Sequence, residues 1–276
     1  MKARTLYIDG IAFWAPALPG WPTARAVLRG EATADESTMR RPAPTLLAAN
    51  ERRRAPDAVL LALEVASAAA AASGHDAADL ASVFTSTHGD LPITDAMCRT
   101  LADNPLLLSP TRFHHAVHNA ASGYWAIGSG SPAASTALSA HEHTFAAALM
   151  EAAVQCHADA QPVLLVAYDT EAIGALASVN RSRGLLALAL VLSPAQGPLS
   201  QWAVDWCLQA ASVPAPLAHS AAAVALAANA SAAALPLAEA LAAATDAERA
   251  WPLSPGLALR LRLRCLTAPE HRPAAA

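Results

Sequence analysis

"ALSAHEHTFAAALMEA", Ala137 to Ala152, decides how the rest of the chain is read. The segment from Ala134 to Ser139 is short and β-prone, and a helix is expected to start near Thr144. His141, Glu142 and His143 form the turn between them. A sharp strand-to-helix turn is where many enzymes present a nucleophile. Here the tip offers a carboxylate between two imidazoles. That leaves three readings: a catalytic elbow, a metal site, or an elbow that has lost its nucleophile.

The flanking segments alternate in type. "TLYIDGIAFW" reads as a strand. The stretch from Gly20 to Asn50, rich in proline, arginine and small residues, reads as a loop able to order on a partner. "APDAVLLALEVASAAAAASG" is a helix with Pro56 at its start, apolar spacing through Leu60, Leu63 and Val65, and Gly74 as its stop. "LASVFTSTHGD" is a buried strand ending in a polar turn, and "ITDAMCRTLAD" a short helix. "TRFHHAVHNAASGYWAIGSG" reads as one helix whose Gly123 and Gly128 admit close approach by another backbone. "PVLLVAYD" is a buried strand with a polar end at Tyr168 and Asp169, and "RGLLALALVLSP" a further strand. Apolar strands alternating with helices predict an α/β fold, a layered sheet with helices on both faces. After Pro194 the pattern weakens to a helix over Ala234 to Ala244 and a half-exposed strand, "GLALRLRLRCL".

Composition narrows the function. The chain has 276 residues, 54% of them hydrophobic, enough for one large domain or two small ones. A net charge of −4 gives no reason to expect nucleic acid or an acidic membrane surface as a partner. Cys98, Cys156, Cys207 and Cys265 form no CxxC pair, which argues against a zinc ribbon or a dithiol site and suits a reducing cytoplasm. Asp9 and Pro16 break the first apolar stretch, so a strand is expected there and not a signal peptide. The alanine-rich stretch Ser220 to Ala244 comes nearest to a membrane span, but Asn229, Ser231, Pro236 and Glu239 interrupt it. A cytoplasmic protein is expected.

The order of the pieces carries a resemblance. "SPTRFHHAVHNAASGYWAIGSG", a strand, an elbow, a helix ending "LMEA", then "PVLLVAYD" and "RGLLALALVLSP" resemble the β-ketoacyl-ACP synthases of the thiolase fold, over roughly Thr5 to Pro194. "FTSTHGD", "SPTRFHHAVHNAASGYWAI" and "PVLLVAYD" are most similar to the short synthase-like proteins of aryl polyene and xanthomonadin-type pigment clusters, called chain length factors. The resemblance implies a thiolase-like N-terminal half-fold over residues 1–194 and a shortened, divergent extension over residues 195–276 packing on the same domain. It also implies that the strand before the elbow forms a dimer interface.

The departures are chemical. Aligning "TFAAALMEA" with the family's helix places Glu142 at the position of the nucleophilic cysteine, within a residue, and no cysteine lies nearby. The histidine pair and lysine that stabilise the enolate and oxyanion in a ketosynthase have no counterpart after Pro194. The resemblance therefore implies a non-catalytic subunit without a cofactor. It would pair with an active ketosynthase, meet acyl carrier protein through that complex, and shape the acyl tunnel in polyketide or fatty-acid-like biosynthesis.

Other readings of the same residues stay open. Glu142 could cap the following helix, as could Thr144, or act in general acid–base catalysis on an acyl thioester with His141, His143 or His88. His88 could pair with Asp90. His114 and His118, at i, i+4, could share a helical face and with His141, Glu142 and His143 bind a metal, although HExxH is absent. Phe113, Tyr124 and Trp125 could line an acyl or partner pocket or be plain core. The imidazole-rich segment His114, His115, His118, Asn119, together with Thr136 and Ser139, is the expected interface. A self-associating scaffold is the third function class.

Overall fold

In the computed structural model of the chain, residues 4–35 and 41–266 are described. Three parts of the expected segments lie outside them: Met1–Ala3 of the first stretch, residues 36–40 of the expected loop, and residues 267–276 of the expected extension. The strands are β1 (Arg4–Ala15), β2 (Leu18–Pro19), β3 (Ala81–Thr85), β4 (Ser135–Leu138), β5 (Val163–Asp169), β6 (Leu186–Ser193), β7 (Trp202–Gln209), β8 (Ala247–Ser254) and β9 (Leu257–Cys265). The helices are α1 (Trp21–Leu28), α2 (Ala49–Arg54), α3 (Asp57–Ser73), α4 (Leu91–Asp103), α5 (Pro110–Ala116), α6 (Ala120–Ser129), α7 (Thr144–Ala158), α8 (Ala221–Ala225) and α9 (Leu235–Ala243). One mixed sheet runs β4-β3-β5-β6-β1-β7-β9-β8, with β2 hairpinned onto β1. β3 is parallel to β4 and β5; the remaining pairs are antiparallel.

Side-chain alternation assigns the two faces. In β6, Leu186, Leu188, Leu190 and Leu192 join the core under α7, α1 and α9. Ala187, Ala189 and Val191 join the core under α3 and α6. The small side chains on the second face let α3 lie close, and α3 contributes Ala58, Ala62, Ala66, Ala69 and Ala70 to that contact. A helix apolar on nearly every side is a buried helix, and α3 ends at Gly74 in the left-handed conformation, φ 72°. Gly10 of β1 is needed for the same approach: a Cβ there would collide with the Ala69 carbonyl and stand 2.9 Å from Ser73 Cβ.

The β1–β6 register shifts between Ile8 and Gly10. The extra residue keeps Leu6, Ile8, Ile11 and Phe13 on one face. It also leaves Asp9 buried, accepting from the hydroxyls of Ser193 and of Ser200 (2.6 Å), with His75 Nε2 at 3.0 Å.

Two expectations are corrected. The segment Gly20 to Asn50 holds α1 and the start of α2, because Pro22 sits in the first turn of α1 and Ala24, Val27 and Leu28 bury against the core. The stretch around Phe113 to Trp125 is two helices, not one. Val117 adopts extended backbone (ψ 139°), and His118 turns out of the helix so that Nε2 donates to the Ser86 carbonyl at 2.8 Å. Beyond Pro194, β7, β9 and β8 continue the same sheet past β1. Leu259, Leu261 and Leu263 of β9 enter the core, while Arg260 and Arg262 stay exposed. Among the described residues no helix is long and apolar enough to cross a membrane.

Candidate functional site

The parallel strands β3, β4 and β5 bring their carboxyl ends together at one edge of the molecule. That edge is where α/β sheets hold ligands. β4 ends at Leu138, the chain turns through a 3-10 segment at His141–His143, and α7 begins at Thr144. The strained residue of this elbow is His141, a non-glycine at φ 53°. Thr144 staples the turn: its Oγ1 donates to the His141 carbonyl (2.6 Å) and accepts from Ala140 N (3.0 Å). The Thr144 hydroxyl closes the turn and caps no amide of α7, so neither Thr144 nor Glu142 takes the expected capping role. Glu142 makes no capping bond to α7; its carboxylate is 74% exposed and lies 3.7 Å from His143 Nε2. His141 is exposed, and His143 Nδ1 is buried without a partner. No cysteine, serine or threonine occupies the strained position.

Asp169, at the carboxyl end of β5, is the hub of the edge. Its buried carboxylate accepts from Ser86 Oγ (2.6 Å), Thr87 N (3.1 Å), His88 N (3.3 Å) and Ser231 Oγ (2.8 Å). Asn229 completes the arrangement, its side-chain amide donating to the carbonyls of Asp169 (3.3 Å), Arg183 (3.1 Å) and Gly184 (3.1 Å). The segment Asn229–Ser231 is thereby pinned across the ends of β3 and β5, with both side chains buried. Deeper in, Trp251 of β8 packs edge-on against Phe145 of α7 (ring centroids 5.9 Å apart) and donates from Nε1 to the Ala233 carbonyl at 2.9 Å. The elbow therefore rests on the chain's own C-terminal residues. The sequence reading marked the polar end at Asp169 and the interruptions at Asn229 and Ser231. It missed their partnership, and it missed Trp251 altogether.

The remaining candidates fall into separate groups. His88 and Asp90 do not pair: Asp90 caps α4 by accepting from Ile93 N at 2.8 Å, and burial raises its carboxyl above the usual range. His114 and His118 share no helical face, because α5 ends at Ala116. Among the described residues no group of three or more histidines, cysteines or acids is arranged to hold a metal ion. His115 is buried, with Nε2 2.9 Å from Tyr124 OH; burial, and then His114, hold its imidazole below its ordinary range. Trp125 is core, packed near Phe84, not the wall of a pocket. Phe113, His114 and Asn119 are exposed. Tyr124, His114, Asn119, Gly123 and Ile127 line an open groove of about 330 Å³ on α6. Thr136 accepts from Gln155 Nε2 (2.9 Å), and Ser139 Oγ donates to the Thr87 carbonyl (3.0 Å).

The Cys156 thiol of α7 is too buried to act as a nucleophile. Burial, and then Asp9, push the Cys156 thiol up to about 12, and its sulfur sits in the core against the Leu192 carbonyl. The thiolate is the reactive form. Thiol titration at pH 8 is therefore expected to label the exposed Cys98 first and Cys156 only after denaturation. Rapid labelling of Cys156 in the folded chain would contradict its burial.

Comparison with known proteins agrees with this architecture. Residues 29–252 match the model of the beta-ketoacyl synthase N-terminal domain. A ketosynthase in complex with its chain length factor from Xenorhabdus doucetiae superposes with a TM-score of 0.70 at 22% identity, over 94% of this chain and 99% of that one. A type II polyketide synthase acyl-carrier protein in complex with its hexaketide-bound ketosynthase (AntDE:AntF) gives 0.72 at 11% identity, over 95% and 100%. The ishigamide ketosynthase/chain length factor gives 0.65 at 17% identity, over 95% and 100%. Among curated proteins none matches. The fold is thiolase-like: a mixed sheet with helices on both sides.

Proposed function

Because the chain belongs to the β-ketoacyl synthase N-terminal-domain family, we propose that it is a non-catalytic chain length factor. It pairs with an active ketosynthase, bounds the acyl tunnel of that complex, and serves cytoplasmic assembly of an aryl polyene or related polyketide chain on acyl carrier protein. Residues 1–194 act as the ketosynthase-like half and residues 195–276 as a reduced extension. The observation that carries the reading is an elbow complete in its geometry but without a nucleophile, its strained residue a histidine and its edge held by Asn229–Ser231.

The two free edges of the sheet support the pairing. β8 carries Glu248, Arg249 and Pro252 and a register shift, devices that deter strand addition. β4 reads Ser-Thr-Ala-Leu, uncharged and without proline, with Ser135 and Ala137 exposed. Such an edge accepts a partner's strand.

The test is light scattering after size exclusion of the chain alone and co-expressed with an intact ketosynthase encoded beside it. A one-to-one complex is expected, lost in Ala137→Arg, with partner activity dependent on the complex. Two independent species and no gain in partner activity would sink the proposal. The nearness of Glu142 and His143 favours one other reading, acid–base turnover of acyl thioesters. Thioester cleavage by the isolated chain, abolished in Glu142→Ala, would support it. On the non-catalytic reading Glu142→Ala changes neither assembly nor product.

A further inference from the structure

The loop that leaves the Asp169 hub encloses a hollow that the elbow does not use. It lies between residues 171–183 and residues 227–229, and its volume is about 690 Å³. Small-molecule sites fall in that size range. Ala227 and Ala228 form the opposite wall, and their small side chains leave the space open.

Three charged side chains line the hollow: Arg181, Arg183 and Glu171. All three residues are exposed. Among the described residues, neither the two guanidiniums nor the carboxylate has a hydrogen-bond or ion-pair partner. Opposite charges that share one hollow without pairing keep their donors and acceptors for a ligand. Two guanidiniums against one carboxylate also make the hollow locally cationic in a chain of net charge −4.

The backbone under the arginines is fixed. Ser182, between them, is buried; its Oγ donates to the Thr170 carbonyl (2.6 Å) and accepts from Ala230 N (3.2 Å). Its carbonyl accepts from Ala172 N (2.9 Å), and Arg183 N donates to the Ala228 carbonyl (3.0 Å). The buried Asn229 amide donates to the Arg183 and Gly184 carbonyls, each at 3.1 Å. With Ser182 turned inward, its two neighbours turn outward. A ligand that bridges them orders side chains only, because the backbone is ordered already.

We propose that this hollow binds a small phosphate monoester that carries a hydroxyl group. A guanidinium presents a planar fork of donors that matches phosphate oxygens. A phosphate monoester carries roughly two negative charges near pH 7, so each arginine meets one. Glu171 accepts a hydrogen bond from the hydroxyl group, and the alanine wall covers the carbon skeleton. The bound ester ties residues 171–183 to residues 227–229 and stiffens the edge that carries the elbow. The site is independent of the proposed pairing with a ketosynthase.

The experiment is calorimetric titration of the full chain with inorganic phosphate, glycerol 3-phosphate and acetate. Glycerol 3-phosphate is expected to bind with a dissociation constant on the order of 0.1 mM, inorganic phosphate severalfold more weakly, and acetate at least about tenfold more weakly. Arg181→Gln/Arg183→Gln is expected to lose at least about tenfold in affinity for glycerol 3-phosphate. Glu171→Ala is expected to remove the advantage of glycerol 3-phosphate over inorganic phosphate. These side chains are exposed, so circular dichroism of each variant should match wild type. Glycerol 3-phosphate should slow hydrogen exchange at residues 171–184 and 227–231 of the wild type and not of the double glutamine variant. Equal affinity of wild type and the double glutamine variant overturns the site. Acetate binding as tightly as phosphate overturns the dianionic ligand, and an unchanged preference in Glu171→Ala overturns the hydroxyl contact. No binding of either phosphate compound overturns the whole proposal.

Discussion

Asp169→Ala is expected to destabilise the chain by about 3–5 kcal/mol. The carboxylate is the acceptor for two hydroxyls and two backbone amides, all buried or nearly so. Removing it leaves those donors without their shared acceptor. A lost bond to a charged acceptor and an unpaired buried donor cost roughly 1–3 kcal/mol each, and relaxation recovers part of the sum. For a chain of this size the melting temperature should fall by ~10 °C. Asp169→Asn keeps one acceptor oxygen but aims an N–H₂ at existing donors, so a loss between those of alanine and wild type is expected. Equilibrium urea unfolding measures both. Hydrogen exchange should rise at residues 229–231 before the rest of the core, because the carboxylate and Asn229 tie that segment to the ends of β3 and β5. A loss under about 1 kcal/mol would mean that water replaces the carboxylate and that Asp169 is not the hub.

The second large effect is at Trp251. It is 1% exposed, stands edge-on to Phe145, and satisfies its indole N–H on the Ala233 carbonyl. Trp251→Ala is expected to cost about 3–5 kcal/mol through the cavity it leaves between β8 and α7. Trp251→Phe keeps most of the packing and leaves the Ala233 carbonyl unpaired, for about 1–2 kcal/mol. The difference between the two variants separates packing from hydrogen bonding. Near-ultraviolet circular dichroism should lose the signal of the Trp251–Phe145 pair in the alanine variant with the helical signal retained. Equal stability of wild type and Trp251→Ala would show that β8 does not support the elbow helix.

The elements that position the site were legible because their chemistry is local. The Leu/Ala alternation of β6, the Pro56 and Gly74 limits of α3 and the strand-turn-helix around His141 all follow from period, caps and turn residues. Two expectations failed for non-local reasons. "TRFHHAVHNAASGYWAIGSG" has helical spacing throughout, but the Ser86 carbonyl, far away in the chain, takes the His118 imidazole and breaks the helix. Glu142 has the charge expected of a cap, but its carboxylate turns outward beside His143 Nε2 and no side chain caps α7. β7 and β8 were invisible for another reason. Their short runs of mixed residues show no period, and β1 and β9 make them strands by supplying ladder partners.

By itself the sequence determined that this is an α/β chain with strand β4 before an elbow, and that the elbow lacks a cysteine. Those properties reside in residue identity and in spacings of a few residues. Only the tertiary structure decided that the strain falls on His141, that Asp169 binds Asn229–Ser231 across the edge, and that Trp251 seals the helix beneath. Each of these depends on contacts between segments distant in the chain. Such contacts form because burying a carboxylate, an indole or a strand edge requires a partner that local spacing does not specify.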